Sequence, residues 1–397
     1  MKVLIYFEEK LLKPVGGPAG YLYNVKSELD KRNNNDISFL NIKESFAKKI
    51  YNNLPAKIKN SLKKNIKKEN QIVIDVLYKQ NHNSPIDLNN YDIVHFHSSM
   101  SMYSVKDSLE NYRGCVLFTT HTPKISYKEI IEDLTPKDVY EKYKSDYDKL
   151  DIIDEYAFNR ADFILFPAEE AEECYYNTWD KYSNIKEKNK DKYIYLPTGI
   201  KKFEIENNSS EVRKKYNIPD DAFVVSYVGR HNEVKGYDQL KEIASEVLKK
   251  DKNIYFLIAG KEEPIKGLEH DHWIEVGWTN NPHEIINCSD MFVLPNKETY
   301  FDLILLEVLC IGKNILMTNT GGNKFFKKFN NSGLYYYDYG NIKEATDNII
   351  KIKDTNKEIL LKQQRDVIKL FEQNFTIEIF CDKYLEIING VLKCKRK

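Results

Sequence analysis

Short apolar runs alternate with longer amphipathic stretches over most of the chain. Such runs stand at 2–7, 91–97, 116–120, 162–166 and 193–196, and again at 223–228, 254–259, 273–276, 291–294, 315–317 and 334–337. They are rich in β-branched and aromatic residues and read as buried strands. Patterns of helical period lie between them, as at 21–29 and 237–248, with a long polar helical region at 135–159 and a terminal one at 374–392. A polar, irregular stretch at 201–213 separates two halves with the same alternation. The pattern predicts an α/β chain of two doubly wound domains with mostly parallel sheets.

In open α/β sheets, ligands bind where strands end and loops begin. The run 223–228 ends at Gly229-Arg230, and Lys235-Gly236 leads into the helical pattern that follows. Two cations in that loop suit an anion, most simply a phosphate or diphosphate. Solvated loop cations are the alternative. In the first half, Gly16-Gly17-Pro18-Ala19-Gly20 separates a strand from a helix. It reads as a phosphate cradle of open backbone N–H groups or as a plain tight turn. Its spacing is not G-x-G-x-x-G, which counts against a dinucleotide oxidoreductase. His95 and His97 alternate onto one strand face, but no cysteine or carboxylate motif completes a metal set, so a structural role is the default. His121 follows the strand at 116–120, on the rim of the glycine loop, where it can bond an anion or a hydroxyl. The acids Glu169, Glu170, Glu172 and Glu173 open a helix and suit its dipole.

Lys and Arg number 60, as do Asp and Glu, so net charge names no partner. The distribution says more. Residues 43–68 hold nine lysines against Glu44 alone, with Leu54, Ile58, Leu62 and Ile66 four apart. A helix of that kind either lies on an anionic membrane surface or packs its stripe on the domain. Its cations are not interleaved with aromatics, which weighs against nucleic acid. The six cysteines form no C-x-x-C pair, so a disulfide framework or structural zinc is disfavoured and a reducing cytosol fits. No apolar run approaches the ~18 residues of a membrane span. The expected location is cytoplasmic, peripheral on the inner face of the membrane.

Taken in order, these residues resemble the retaining nucleotide-sugar glycosyltransferases of family 4. Val228-Gly229-Arg230 with Lys235-Gly236 is similar to the family's "VGR…KG" element, Ile258-Ala259-Gly260 to its "IAG" strand, and Asp290 through Pro295 to its "AD-hydrophobic-P" strand. Thr299 through Glu307 stands where the family has "EGFGLVLLE", and Thr320-Gly321-Gly322 follows. In the first half, Gly16-Gly17, His97, Thr120-His121 and Pro197-Thr198-Gly199 keep the family's order, and Phe375-Thr376 resembles the entry to its last helix.

The resemblance implies a GT-B fold: two Rossmann-like domains facing a central cleft, with a C-terminal helix crossing back to the first. Residues 1–203 with 376–397 are the expected acceptor side, and 204–375 the nucleotide-sugar side. It implies transfer of a sugar from a nucleotide diphosphate sugar, UDP being the family's commonest nucleotide, to a hydroxyl of a glycan, lipid-linked or protein acceptor. Retention at the anomeric carbon, no metal, and no cofactor beyond the nucleotide sugar are implied too. His121, Arg230 and Lys235 take the catalytic roles; Gly16, Gly17, Arg230, Lys235 and the amides of Leu303 and Ile304 hold the donor phosphates; Glu307 holds the ribose; Thr299, Tyr300, Phe301 and Asp302 meet the sugar. The sequence departs from the family at Thr299, which replaces a glutamate, and at Tyr300 and Asp302, which replace glycines. A catalytically degenerate binding or chaperone subunit for a partner glycosyltransferase is the competing expectation.

Overall fold

The structure, a computed structural model, describes residues 1–8, 12, 17–40, 73–205 and 208–395. The lysine-rich segment 43–68 and Gly16 lie outside them. The chain divides into two compact units. The first holds Met1–Phe166, Tyr175–Ile194 and Leu385–Lys397; the second holds Pro167–Cys174 and Tyr195–Tyr384.

The first unit carries a sheet of six strands: β1 (Val3–Tyr6), β2 (Ile37–Phe39), β3 (Ile93–Phe96), β4 (Cys115–Thr119), β5 (Phe163–Phe166) and β6 (Tyr193–Tyr195). Their order is β2-β1-β3-β4-β5-β6, with β1 parallel to both β2 and β3. Order reverses between β1 and β3, so helix Gly17–Lys31 and His97 follow strands on either side of that point. Burial of all of β1, β3 and β4 accounts for their largely apolar sequences, interrupted by His95 in β3 and ended by Thr119 in β4. The polar region at 135–159 is not one helix. It breaks into Lys137–Lys142, Lys144–Tyr147 and Ile152–Arg160. Tyr143 leaves helical geometry (φ −117°, ψ 23°), and Tyr147 is buried with Ile130, Leu150 and Ile153.

The second unit carries β7 (Phe223–Val228), β8 (Ile254–Ala259), β9 (Trp273–Gly277), β10 (Met291–Leu294), β11 (Asn314–Thr318) and β12 (Leu334–Tyr337). The order is β12-β11-β10-β7-β8-β9, and each neighbouring pair is parallel. The chain winds outward through β8 and β9, then returns to the other side of β7. The switch point lies between β7 and β10, the position at which doubly wound sheets bind ligands. Helix Tyr237–Lys250 buries Tyr237, Leu240, Ile243, Ala244, Val247 and Leu248, a single face at helical spacing, against a core that includes Val225, Tyr227 and Phe256.

The units divide at residues 194 and 195 rather than at 203, and Pro167–Cys174 clusters with the second. Hydrogen bonds and apolar packing explain this. Ile200 N donates to Phe375 O at 3.0 Å, and Ile377 N to Ile200 O at 2.9 Å. Ala168 is buried with Phe292, Leu294 and Phe325. The expected linker also ends early: Asn208 and Glu211 form a capping box that starts helix Ser209–Lys215. Residues 374–392 do not form one helix. Helix Lys357–Asn374 ends at Phe375, Thr376 bridges to Ile200, and the last helix is Ile377–Lys395. No described helix is long and apolar enough to cross a membrane.

Candidate active site

In the second unit the loops leaving β7 and β10 lie side by side at the switch point. Lys297 N donates to Val234 O at 3.0 Å. Gly236 sits between the loops at φ +64°, and a Cβ there would stand 1.7 Å from Pro295 O. Only glycine satisfies both the backbone and the space, and it starts helix Tyr237–Lys250 directly after Lys235. Arg230 is exposed, and no ion pair engages it among the described residues. Its carbonyl oxygen accepts from the buried Tyr227 hydroxyl at 2.8 Å, which fixes the backbone beneath it. Gly229 suits this turn, because a Cβ there would meet that hydroxyl at 2.7 Å.

Lys235 is not free. Its Nζ lies 2.6 and 2.8 Å from the two carboxylate oxygens of Asp302. The amide of Asn296 donates to the same carboxylate. Asp302 holds the N-cap position of helix Leu303–Ile311, yet its side chain caps no backbone amide. The carboxylate has turned to the lysine, and the amides of Leu303 and Ile304 carry no side-chain cap. The signature loop before this helix is tied down from behind. Gly322 N donates to Thr299 O at 3.2 Å, and a Cβ at Gly321 would stand 2.1 Å from that oxygen. Glu173 accepts from Gly321 N at 3.0 Å and pairs with Lys324.

The predicted sugar readers are unequally placed. Thr299 is 1% exposed, and its hydroxyl has no partner among the described residues. Tyr300 is buried; Phe301 is half-buried against Phe325 and Phe326. Asp302 reaches the rim. Glu307, one turn into the helix, is half-buried and bonds His283 Nε2 at 3.1 Å, and the His283 ring stacks on Phe203 at 3.6 Å. Trp278, directly after β9, is 72% exposed.

In the first unit, Gly17 starts helix Gly17–Lys31 at φ +78° with open space around its Cβ position. His121 follows β4, and its Nε2 lies 2.8 Å from His97 Nδ1. His95 Nε2 pairs with Thr119 Oγ1 at 2.8 Å. Burial lowers His95 and His121 to about 3 and His97 well below its ordinary value, so all three rings are neutral. No metal-holding group of His, Cys, Asp or Glu occurs among the described residues.

Three side chains on these rims are poorly marked in the sequence. Asn296 and Trp278 carry no signal beyond a polar residue after a strand and an aromatic in a polar turn. Glu173 reads there as one of four acids suited to a helix dipole, yet its carboxylate holds a turn 148 positions away in sequence.

The model of the family described as glycosyl transferases group 1 matches residues 208–369. The chain is 23% identical over 227 residues to the O-antigen biosynthesis glycosyltransferase WclY of Escherichia coli, covering 53% of this chain and 61% of that protein. It is 23% identical over 207 residues to the capsular polysaccharide biosynthesis glycosyltransferase CapM of Staphylococcus aureus, covering 49% of this chain and 53% of that one. The matches thus span about three fifths and half of these relatives' lengths. Among solved structures, Alr3699/HepE of Anabaena in complex with UDP aligns with TM-score 0.62 at 11% identity, over 98% of this chain and 100% of that one. The second unit thus resembles the group 1 glycosyl transferases over residues 208–369, and the match to solved structures over nearly the whole chain shows the GT-B fold.

Proposed function

We propose that this chain transfers a sugar from a nucleoside diphosphate sugar to an acceptor hydroxyl in the assembly of a cell-envelope glycan. The observation that carries the reading is the pair Arg230 and Lys235 at the β7–β10 switch point, beside a helix N-terminus without a side-chain cap. Fixed cations and open amides there offset charge developing on a leaving diphosphate. Glu307 accepts from the ribose, and Asp302 from the donor sugar. His121 and the amides at Gly16 and Gly17 are the donor ligands proposed for the first unit. The leaving phosphate takes the acceptor proton, so the reaction needs no protein base, and the anomeric centre is retained. UDP is the proposed nucleotide, supported by the UDP-bound HepE; the named roles of WclY and CapM support a glycan acceptor, and a lipid-linked one is the form proposed here. The lysines at 43–68 would hold the protein at the anionic membrane face where such acceptors lie. Equal sedimentation with anionic liposomes by the wild type and a variant lacking the lysines at 57–68 would refute that last part.

Turnover of a nucleotide-sugar panel with oligosaccharide and lipid-linked acceptors tests the proposal. The wild type releases UDP from at least one UDP-sugar, and Arg230→Ala abolishes the release. Nucleotide binding without any turnover would favour the second reading, a binding subunit of a partner glycosyltransferase. One feature favours that reading: Thr299, in place of the family's glutamate, is buried away from the rim.

A further inference from the structure

We propose that Asp302 is a counter-ion exchanged during donor binding, and that the exchange makes the site prefer the sugar-bearing nucleotide over the spent one. The inference rests on the donor reading above and goes beyond it in assigning specificity to one side chain. Three observations carry it. Both Asp302 oxygens contact Lys235 Nζ, at 2.6 and 2.8 Å, so two of the three ammonium donors are committed to it. The pair is mostly shielded, with 21% and 18% of the side chains exposed, so water screens it weakly. The carboxylate stands at the N-cap position but leaves the amides of Leu303 and Ile304 without a side-chain cap, held aside by Lys235 and Asn296.

A diphosphate arriving at those amides meets a cation already neutralised and a carboxylate of its own sign. Its favourable course is to draw Lys235 away. Asp302 then keeps the Asn296 amide and has lost its cation. A carboxylate only accepts hydrogen bonds. A sugar hydroxyl on the incoming donor supplies the missing donor group, and a bare nucleoside diphosphate does not. The half-buried carboxylate is therefore left with the Asn296 amide alone only in the product complex, where it weakens retention of the nucleotide. The carboxylate is thus satisfied by Lys235 in the free protein, by the sugar in the donor complex, and by neither after transfer.

Calorimetric titration of the full chain tests this with UDP, GDP and ADP and with the glucose, galactose and N-acetylglucosamine derivatives of whichever nucleotide binds. For the wild type, the accepted sugar nucleotide binds more tightly than the bare diphosphate. Asp302→Asn is expected to tighten the bare diphosphate about tenfold and to shrink the sugar-nucleotide preference by a similar factor. Asp302→Gly, with the residue the family has there, should do the same, and thermal melting of both variants checks that they fold. Lys235→Ala should cost more diphosphate affinity in the Asp302→Asn background than in the wild type, because only there is the lysine unencumbered. If Asp302→Asn leaves diphosphate affinity unchanged or weakens it while the wild type binds, the exchange is wrong and the donor reading stands. If no nucleotide binds the wild type, the donor reading falls and takes the exchange with it.

Discussion

His97 Nδ1 lies 2.8 Å from His121 Nε2, and both rings are neutral. One nitrogen therefore donates and the other accepts. His97 Nε2 is buried and has no partner among the described residues. If His97 donates from Nδ1, that buried atom is a bare lone pair and no buried N–H is left unpaired. His121 then accepts at Nε2 and carries its proton on Nδ1, ready to donate to a ligand. His97→Phe should release this tautomer and lower kcat about tenfold, whereas His121→Ala should lower it about a hundredfold. Nitrogen chemical shifts of the His121 ring in wild type and His97→Phe check the tautomer directly.

The same three rings make stability depend on pH. Their folded pKa values lie below the ordinary value of about 6.5, so below that pH the unfolded chain binds protons that the fold does not. Their neutral contribution is fully present above pH 6.5 and is lost as pH falls toward about 3, the folded value of His95 and His121. Each ring contributes a slope of about 1.4 kcal/mol per pH unit within that window. Urea denaturation at pH 7, 6 and 5 should show the decline, and His95→Gln should make it shallower.

Two glycines at positive φ should respond differently to alanine. At Gly236 the new Cβ meets Pro295 O at 1.7 Å, whereas Gly17 has open space around it. Gly236→Ala should cost about 2–4 kcal/mol, and Gly17→Ala only the backbone strain of about 1 kcal/mol. Denaturant midpoints of the two variants measure the contrast.

Glu307 bonds His283, which stacks on Phe203. Loss of a carboxylate proposed to hold the ribose should raise donor KM at least about tenfold with little change in melting temperature. Steady-state kinetics of Glu307→Ala measure this. His283→Ala, which removes the partner but leaves the carboxylate, should raise KM less.

What the sequence revealed follows from how local each signal is. Strands β7, β8 and β10 have the bounds their apolar runs indicate, because burial on both faces writes a continuous run, and the aromatic run of edge strand β12 marks its bounds too. Strand β2, three residues long, is too short to show a period. The 135–159 region has helical composition throughout, while Tyr147 packing breaks it into pieces. At the site, the positions of Arg230, Lys235 and helix Leu303–Ile311 were legible from strand ends. The partners were not: Asp302 is 67 residues from Lys235, and Glu173 is 148 from Gly321. No periodicity joins positions so far apart. The turn of the Asp302 carboxylate away from its own helix is a competition between a capping bond and an ion pair, which only three dimensions can decide.

Titration of UDP into the wild type and into Arg230→Ala bears most directly on the phosphate-binding role proposed for the β7 loop. Arg230 is exposed and makes no ion pair among the described residues, so its removal disturbs the fold little. Its loss should weaken UDP at least about tenfold, or 1.4 kcal/mol, with an unchanged melting temperature. Equal affinity in the two proteins would place the diphosphate elsewhere and contradict the site.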